Sequence, residues 1–423
     1  MKILFINNGE PLLDYPFWAQ GKLRKWYRSR KVTFSTGEKR FPIGLGYLSA
    51  VLKKRGHEVF LLDRFADPGA WVDAGVSWDF VGIYASTPLF EDTLTILERL
   101  KGTKAKVAVG GPHVTVSPRT IPDWVDYVVQ GEGEHMIGDL VEGKWPSGVL
   151  LRTPRVKDLD ALPRADYDLF LDKKRSYEWS IPFTKHQPIF LMNTSRSCPY
   201  RCTFCDVRDI WGKLWTKQSP ERVVDDMKYL KRTYNVAGVY FREDIFTADK
   251  NRVRQICELL IKEKLGLVWA AETRVDCGSA RGMLELMAKA GCVGVYVGAE
   301  HFSERMLDTF KKDITPAQIV ETCRLAKQYG IVVAMSLIIE HPEENAEDRK
   351  KMKKGLEETK PEIVWKNRYR PKSSEDTPNF PEYSAREMIV IEDVPGVWYG
   401  QKDRMWPSTH LSGQNLPAVG IEA

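Results

Sequence analysis

The hydrophobic positions of this chain fall into two blocks in which short apolar runs alternate with amphipathic stretches. In the first block the runs are "KILFIN" from Lys2, "EVFLLD" from Glu58, "FVGIYA" from Phe80, "KVAVGG" from Lys106 and "DYVVQG" from Asp126. Each has the length of a buried strand, and segments of helical periodicity such as "GLGYLSAVLKKRG" separate them. Buried strands joined by helical crossovers predict a parallel sheet with right-handed connections, most simply a flavodoxin-like (Rossmann-type) doubly wound α/β domain over 1–145. The pattern then breaks into a Pro-rich, charged linker over 146–188, which includes "DLDALPRADYDLF". Alternation resumes over 189–370, with strands at Ile189, Val236, Leu267, Val293, Ile331 and Glu362 and helical stretches between them. Six strand-helix units predict an open, partial (βα)6 barrel of the TIM type. Residues 371–423 form a tail rich in Pro, charge and aromatics, expected either to cover the barrel mouth or to lie on the surface.

In both folds ligands gather at the carboxyl ends of the strands. For the first domain those ends carry Asn8 and Gly9, Ser86 and Thr87, Gly110, Gly111 and His113, and Gly131, Glu132 and Gly133. The glycines let a backbone approach a ligand or take positive φ. Tight strand-helix turns want glycine with or without a ligand, however, and "GEGEHMIG" is not a dinucleotide fingerprint.

Length and composition narrow the class. A chain of 423 residues is long enough for two or three domains. No run approaches the ~20 apolar residues of a membrane helix, and the N-terminus turns polar at Asn7, too early for a secretory signal, so a cytoplasmic protein is expected. The net charge of +6 is only mildly basic and is dispersed, so no nucleic-acid partner is expected. One basic stretch, Gly21 to Lys31, reads as a solvated loop, with contact to an anionic substrate or cofactor phosphate as the alternative. Seven cysteines in a reducing compartment argue against a disulfide framework.

Three of those cysteines crowd into "NTSRSCPYRCTFCDVRD", directly after the first barrel strand. A dithiol motif at Cys202 and Cys205 leaves Cys198 without a role. Structural zinc wants four ligands, yet no histidine flanks the group and the next cysteine, Cys257, is far along the chain. Three thiolates on one loop fit a [4Fe–4S] cluster with its fourth iron open. The spacing C-x3-C-x2-C with an aromatic before the last cysteine, here Cys198, Cys202, Phe204 and Cys205, resembles the signature of the radical S-adenosylmethionine (radical SAM) superfamily. The order "FPIGLGYLSAVLKKRGHEVFLLD", "GGPHVTVSP", "VDYVVQGEGE" closely resembles the cobalamin (B12)-binding domain of one branch of that superfamily.

The resemblance implies a chemistry. S-adenosylmethionine chelates the open iron, a 5′-deoxyadenosyl radical abstracts hydrogen from a small-molecule or biosynthetic-intermediate substrate, and methylcobalamin supplies a methyl group. An electron donor such as flavodoxin or ferredoxin is implied as partner. Glu243 and Asp244 in "YFREDIFT" resemble the family's acidic pair for the cosubstrate ammonium, and Arg274 in "ETRVD" suits a carboxylate. Glu300 in "GAEH" resembles the family's G-x-E-S element for the ribose or amino group, with His301 replacing serine. "IEHPEE" puts Glu340 and His341 where the family has small residues. Cys257, Cys292 and Cys323 read as buried apolar residues, while Cys277 follows a strand end and is a candidate to face the substrate. The D-x-H-x-x-G element of histidine-ligated cobalamin is absent, so His113 is expected at a loop or cofactor edge rather than on cobalt. The resemblance therefore implies a cobalamin-dependent methyltransferase acting on an unactivated carbon. The alternatives are a radical rearrangement or ring closure without methyl transfer, and a non-catalytic iron-sulfur redox or regulatory protein.

Overall fold

Apolar alternation becomes geometry in the first strand of the computed structural model. On β1 (Lys2–Asn7), Ile3 and Phe5 enter one core while Leu4 and Ile6 enter another, as the period of two along a strand requires. Both faces are therefore covered, the normal condition of a parallel sheet. The remaining strands of this sheet are β2 (Glu58–Asp63), β3 (Phe80–Tyr84), β4 (Lys106–Gly110), β5 (Tyr127–Gln130) and β6 (Val149–Arg152). They lie in the order β2-β1-β3-β4-β5-β6, all parallel. The structure describes residues 1–8, 41–67, 69–72, 76–171, 177, 181–278, 282–369 and 398–400. Gly9, the basic segment Gly21 to Lys31 and nearly all of the tail lie outside these.

The second unit follows the same logic. Strands β7 (Ile189–Met192), β10 (Gly238–Phe241), β11 (Val268–Arg274), β12 (Cys292–Glu300), β13 (Val332–Ile339) and β14 (Ile363–Arg368) form a parallel sheet in chain order. Between β7 and β10, β8 (Ser195–Arg196) and β9 (Thr216–Lys217) make a separate antiparallel pair. At the far edge β15 (Trp398–Gly400) adds in parallel to β14, so part of the tail extends this sheet. Helices cap themselves where the sequence allows it: Thr315 with Gln318 and Asn345 with Asp348 form capping boxes at the starts of Pro316–Gln328 and Ala346–Thr359. Among the described residues no helix is long and apolar enough to cross a membrane.

The segment 146–188 departs from its expected role as a linker. Its first part is β6, a sixth strand on the first sheet. Its middle buries Val156, Leu159, Leu162, Tyr167 and Phe170 in a core that runs without a break into the barrel. Phe170 stacks on Phe41 at 4.7 Å and Tyr167 on Phe190 of β7 at 5.3 Å, while the Tyr167 hydroxyl donates to the Leu191 carbonyl at 2.8 Å. Phe183 lies against Gly294 of β12 and the ring of Tyr240 on β10. Proline and charge suppressed the periodicity here, so packing of isolated aromatics left no pattern to read.

Gly238 shows how tightly the barrel strands are drawn together. A Cβ added there would lie 2.1 Å from the Val268 carbonyl oxygen, which is backbone and has little room to move. Gly238→Ala is expected to destabilise the protein by ~1–3 kcal/mol or more. Gly110→Ala, whose Cβ would sit 3.7 Å from the Val129 oxygen in ordinary contact, should leave the denaturation midpoint nearly unchanged. Chemical denaturation of the two variants checks the contrast.

Candidate functional site

The three cysteines lie on the loop that β8 and β9 pinch at its base, just past the carboxyl end of β7. Its path is set by carboxylates from the next strand. Glu243 accepts the backbone N–H groups of Thr194 at 2.7 Å and of Ser195, and Asp244 accepts that of Ser197 at 2.9 Å. Ser197 itself turns at φ +74°, the left-handed region, which bends the chain into Cys198. Further on, the Thr203 N–H donates to the Phe310 carbonyl at 3.0 Å. Cys198, Cys202 and Cys205 are all half-buried, and burial raises the Cys198 thiol and pushes Cys205 up to about 12. Burial therefore favours the protonated thiol at Cys198 and Cys205 until a cation replaces the proton. Three half-buried sulfurs on one loop can each bind a separate iron of a cube. The donor set fits such a cluster.

The expected acidic pair divides into two roles. Glu243 is buried, spends its oxygens on the loop backbone and the Thr194 hydroxyl, and is pushed up to about 7 by burial, against the pull of Arg252 and the N–H donors. Asp244, by contrast, keeps an exposed side, with the Ser197 N–H on one of its oxygens. Burial raises its carboxyl to about 6, the Ser197 N–H opposes this, and the charge of Glu272 adds to it. Glu272 stands on β11 with the Tyr240 hydroxyl at 3.2 Å, a lumenal carboxylate that sequence reading passed over in "ETRVD".

Arg274 and Glu300 close the other side of the cysteine loop. Arg274 is buried, with its guanidinium over the Tyr200 ring at 3.7 Å, its Nη2 donating to the Lys312 carbonyl at 2.5 Å and its Nη1 3.9 Å from Cys202 Sγ. Glu300 takes φ +63° at a bulge in β12 and pairs with the buried Lys312 ammonium at 2.8 Å. Lys312 Nζ lies 5.6 Å from the ring of Phe204, which packs edge-on against Phe310. The two departures from the family pattern are coupled. His301 Nε2 is 3.5 Å from Glu344 Oε1, and the other oxygen of Glu344 accepts the Glu340 N–H at 2.9 Å. Glu340 adopts φ +60°, a glycine-like backbone, and ion-pairs with Arg368, while His341 lies between the rings of Phe310 and Tyr369. Cys277 is in the short helix Val275–Gly278 after β11.

The first domain turns its strand ends toward this loop: helix Pro112–Val116, which follows β4, packs on helix Val207–Trp211, which follows Cys205. Ser86, Thr87, Gly110 and Gly131 present small, partly exposed groups at those ends. A large flat cofactor held mainly by backbone fits such a surface. Asn8 is buried, with its amide donating to the Leu89 carbonyl and Thr93 hydroxyl, both at 3.0 Å. His113 stacks on Phe90 and places its two ring nitrogens on the Thr87 and Thr120 hydroxyls at 3.1 and 3.0 Å; burial lowers it to about 4. Gly111 has φ +107°, and a Cβ there would lie 2.7 Å from the Ala85 oxygen, so backbone alone requires this glycine. Gly131, at φ +91°, is likewise closed in by Thr153, and Gly133 lies against Leu48.

Glu132, expected at the ligand face, is instead buried between two arginines. Its oxygens meet Arg196 at 2.6 Å and Arg155 at 2.8 Å, and Arg196 also pairs with the buried Glu134 at 2.7 Å. Arg196 stands two residues before Cys198, so the loop after β5 is bolted to the cysteine loop. Sequence reading missed Arg196, Arg155 and Lys312. The only signal was an arginine beside the first cysteine in "TSRSCP", which looks the same whether exposed or buried.

Known families match two parts of the chain. Residues 192–355 match the family model of the radical SAM superfamily and residues 30–141 that of the B12 binding domain. An uncharacterized methyltransferase of Pyrococcus horikoshii is 32% identical over 348 residues, 75% of this chain and 73% of its own. An anaerobic magnesium-protoporphyrin IX monomethyl ester cyclase of Rubrivivax gelatinosus is 27% identical over 76% of this chain and 63% of its own. Among solved structures, the radical S-adenosylmethionine methyltransferase TsrM from Kitasatospora setae, with cobalamin and a [4Fe-4S] cluster bound, shares the fold. Its TM-score is 0.64 at 18% identity, over 87% of this chain and 72% of its own.

The ion-pair lattice makes a direct test. Glu132→Ala leaves Arg196, itself buried, short of one of its two carboxylates and removes the partner of Arg155 Nε. Breaking one side of a buried pair costs ~3–5 kcal/mol. The expected outcome is a loss of that order in denaturant, with the same change at the exposed Glu285, paired with Lys289, leaving the midpoint nearly unchanged.

Proposed function

Because this chain belongs to the radical SAM superfamily and carries its B12-binding domain, we propose that it is a cobalamin-dependent methyltransferase that alkylates an unactivated carbon of a small-molecule substrate. The observation that carries the reading is the seam itself: a loop of three half-buried cysteines at the barrel mouth, held through Arg196 against the strand ends of the B12-binding domain. The methyltransferase of Pyrococcus horikoshii supports the reaction class.

Cys198, Cys202 and Cys205 would hold the cluster through their thiolates. When bound, the cluster supplies an electron to S-adenosylmethionine, which yields the hydrogen-abstracting radical, and cobalamin carries the methyl group. Asp244 receives the cosubstrate ammonium, being the acidic residue of its pair that faces open space, and Glu243 keeps the loop backbone in place beneath it. Glu300, with one oxygen on Lys312, has its second oxygen for a ribose hydroxyl. Phe204 and Phe310 keep water from the cluster edge. On the other side Gly110, Gly131, Ser86 and Thr87 would hold a corrin at their strand ends, while both ring nitrogens of His113 are engaged by threonine hydroxyls. Flavodoxin or ferredoxin is the electron donor this chemistry calls for.

Product stoichiometry tests the reaction class. With substrate, reductant and cobalamin, methyl transfer gives 5′-deoxyadenosine and S-adenosylhomocysteine in about equal amounts over sustained turnover. Deoxyadenosine formed without S-adenosylhomocysteine would instead assign a ring closure or rearrangement, the class suggested by the Rubrivivax gelatinosus cyclase. A chain that holds its cluster yet never cleaves S-adenosylmethionine would be a redox or regulatory protein.

Asp244 gives a pH signature. Only its ionised form pairs with an ammonium, and its carboxyl sits near 6. Taken as the ratio of wild-type to Asp244→Asn affinity for S-adenosylmethionine, which cancels titration of the cosubstrate's own amino group, its contribution should be constant above that pH and shrink as pH drops below it. Asp244→Asn should weaken binding at pH 8 and flatten the profile, which anaerobic calorimetry measures.

A further inference from the structure

Arg274 points at the cysteine loop. Its guanidinium is held on two sides and faces a carboxylate on a third: Nη2 donates to the Lys312 carbonyl at 2.5 Å, Cζ lies 3.7 Å from the centre of the Tyr200 ring, and Nε, which has no hydrogen-bond acceptor, is 3.4 Å from Asp276 Oδ1. Asp276 is in turn held by the Tyr200 hydroxyl at 3.1 Å. What remains is Nη1, directed at Cys202 Sγ at 3.9 Å. Swinging this fork out to meet a cosubstrate carboxylate would break a buried hydrogen bond and strip the cation from an aromatic face.

The surroundings make that charge count. The Arg274 side chain is 6% exposed, so solvent screens it little. The other buried cation nearby, Lys312, is paired with Glu300 at 2.8 Å, closer than Arg274 is to Asp276 at 3.4 Å, and it contributes its carbonyl to Arg274. Arg201, next in sequence to Cys202, is 67% exposed and reaches out to Asp313. A cation and N–H donor beside a thiolate ligand stabilise the reduced, more negative state of an iron-sulfur cluster, because hydrogen bonds and net charge at the sulfurs set its potential.

We propose that Arg274 is a positioning residue for Cys202 that raises the reduction potential of the cluster and makes no contact with the cosubstrate carboxylate. This rests on the cluster assignment above, and the two fail differently: without that assignment the wild-type protein holds no iron, whereas here the loaded cluster is compared between variants.

The experiment is an anaerobic redox titration followed by electron paramagnetic resonance, without S-adenosylmethionine, on wild type, Arg274→Gln and Arg201→Gln, each with iron and sulfide counted. Arg274→Gln is expected to make the cluster about tenfold harder to reduce, a one-electron shift of ~59 mV to more negative potential. Arg201→Gln removes the same formal charge from solvent-exposed ground beside the same ligand and should shift it less than twofold. S-adenosylmethionine affinity of Arg274→Gln should stay within threefold of wild type. An unchanged potential overturns the proposal, as does a tenfold or greater loss of cosubstrate affinity, which would mark a carboxylate contact. If Arg274→Gln does not load, Arg274→Lys decides. Loading with the wild-type potential supports the role of charge, and failure of both variants to load makes Arg274 a structural prop and overturns the proposal.

Discussion

Two buried carboxylates on one loop and one buried arginine on another hold the two halves of this protein in register. Glu132 and Glu134 follow β5 of the B12-binding domain; Arg196 precedes the first cysteine of the barrel. Desolvating three charges is costly, and apolar residues would hold the seam as firmly. What charge adds is direction. Arg196 has a planar fork that satisfies both carboxylates in one orientation, so the cysteine loop meets the strand ends of the other sheet at one setting. Arg155 locks the same carboxylate from behind, with its Nη1 on the carbonyls of Trp211 and Leu214 past the cysteines.

Around that seam, buried charge is used to fix backbone. Glu243 takes N–H groups from Thr194 and Ser195, Arg252 donates to the Thr194 and Gln218 carbonyls, and Arg274 donates to that of Lys312. A loop that lacks regular structure must satisfy its polar groups somehow, and here side chains from neighbouring strands do it. Preorganisation of this kind suits a loop whose sulfurs have to meet a rigid inorganic group.

The departures from the family's small residues follow the same rule. Glu340 occupies a left-handed backbone, at a cost of roughly 1–2 kcal/mol for a side chain there, and gains Arg368 and the carboxylate of Glu344. Because Glu344 also lies beside His301, the two unusual positions support one another across the ends of β12 and β13. His341 fills space between two aromatic rings. Larger residues have been built into the wall without disturbing the strand order.

Much of this was legible in the chain. Apolar runs of strand length gave five strands of the first sheet and six of the barrel, because burial on both faces leaves a composition that no loop shares. The crowded cysteines carried the superfamily signature in the chain itself, since local spacing places three thiols on one loop. The glycine at 111 was visible, but not its reason, which is the Ala85 backbone. Glu132 and Glu243 looked like ligand contacts because both follow strands, and only three-dimensional neighbours reveal that arginines and backbone N–H groups already occupy them. The sixth strand, the aromatic packing of the connector and the inward aim of Arg274 were equally hidden. Periodicity records which face of an element is buried; it carries no information about which distant charge a buried side chain meets, because that pairing depends on how two separately encoded sheets are set against each other.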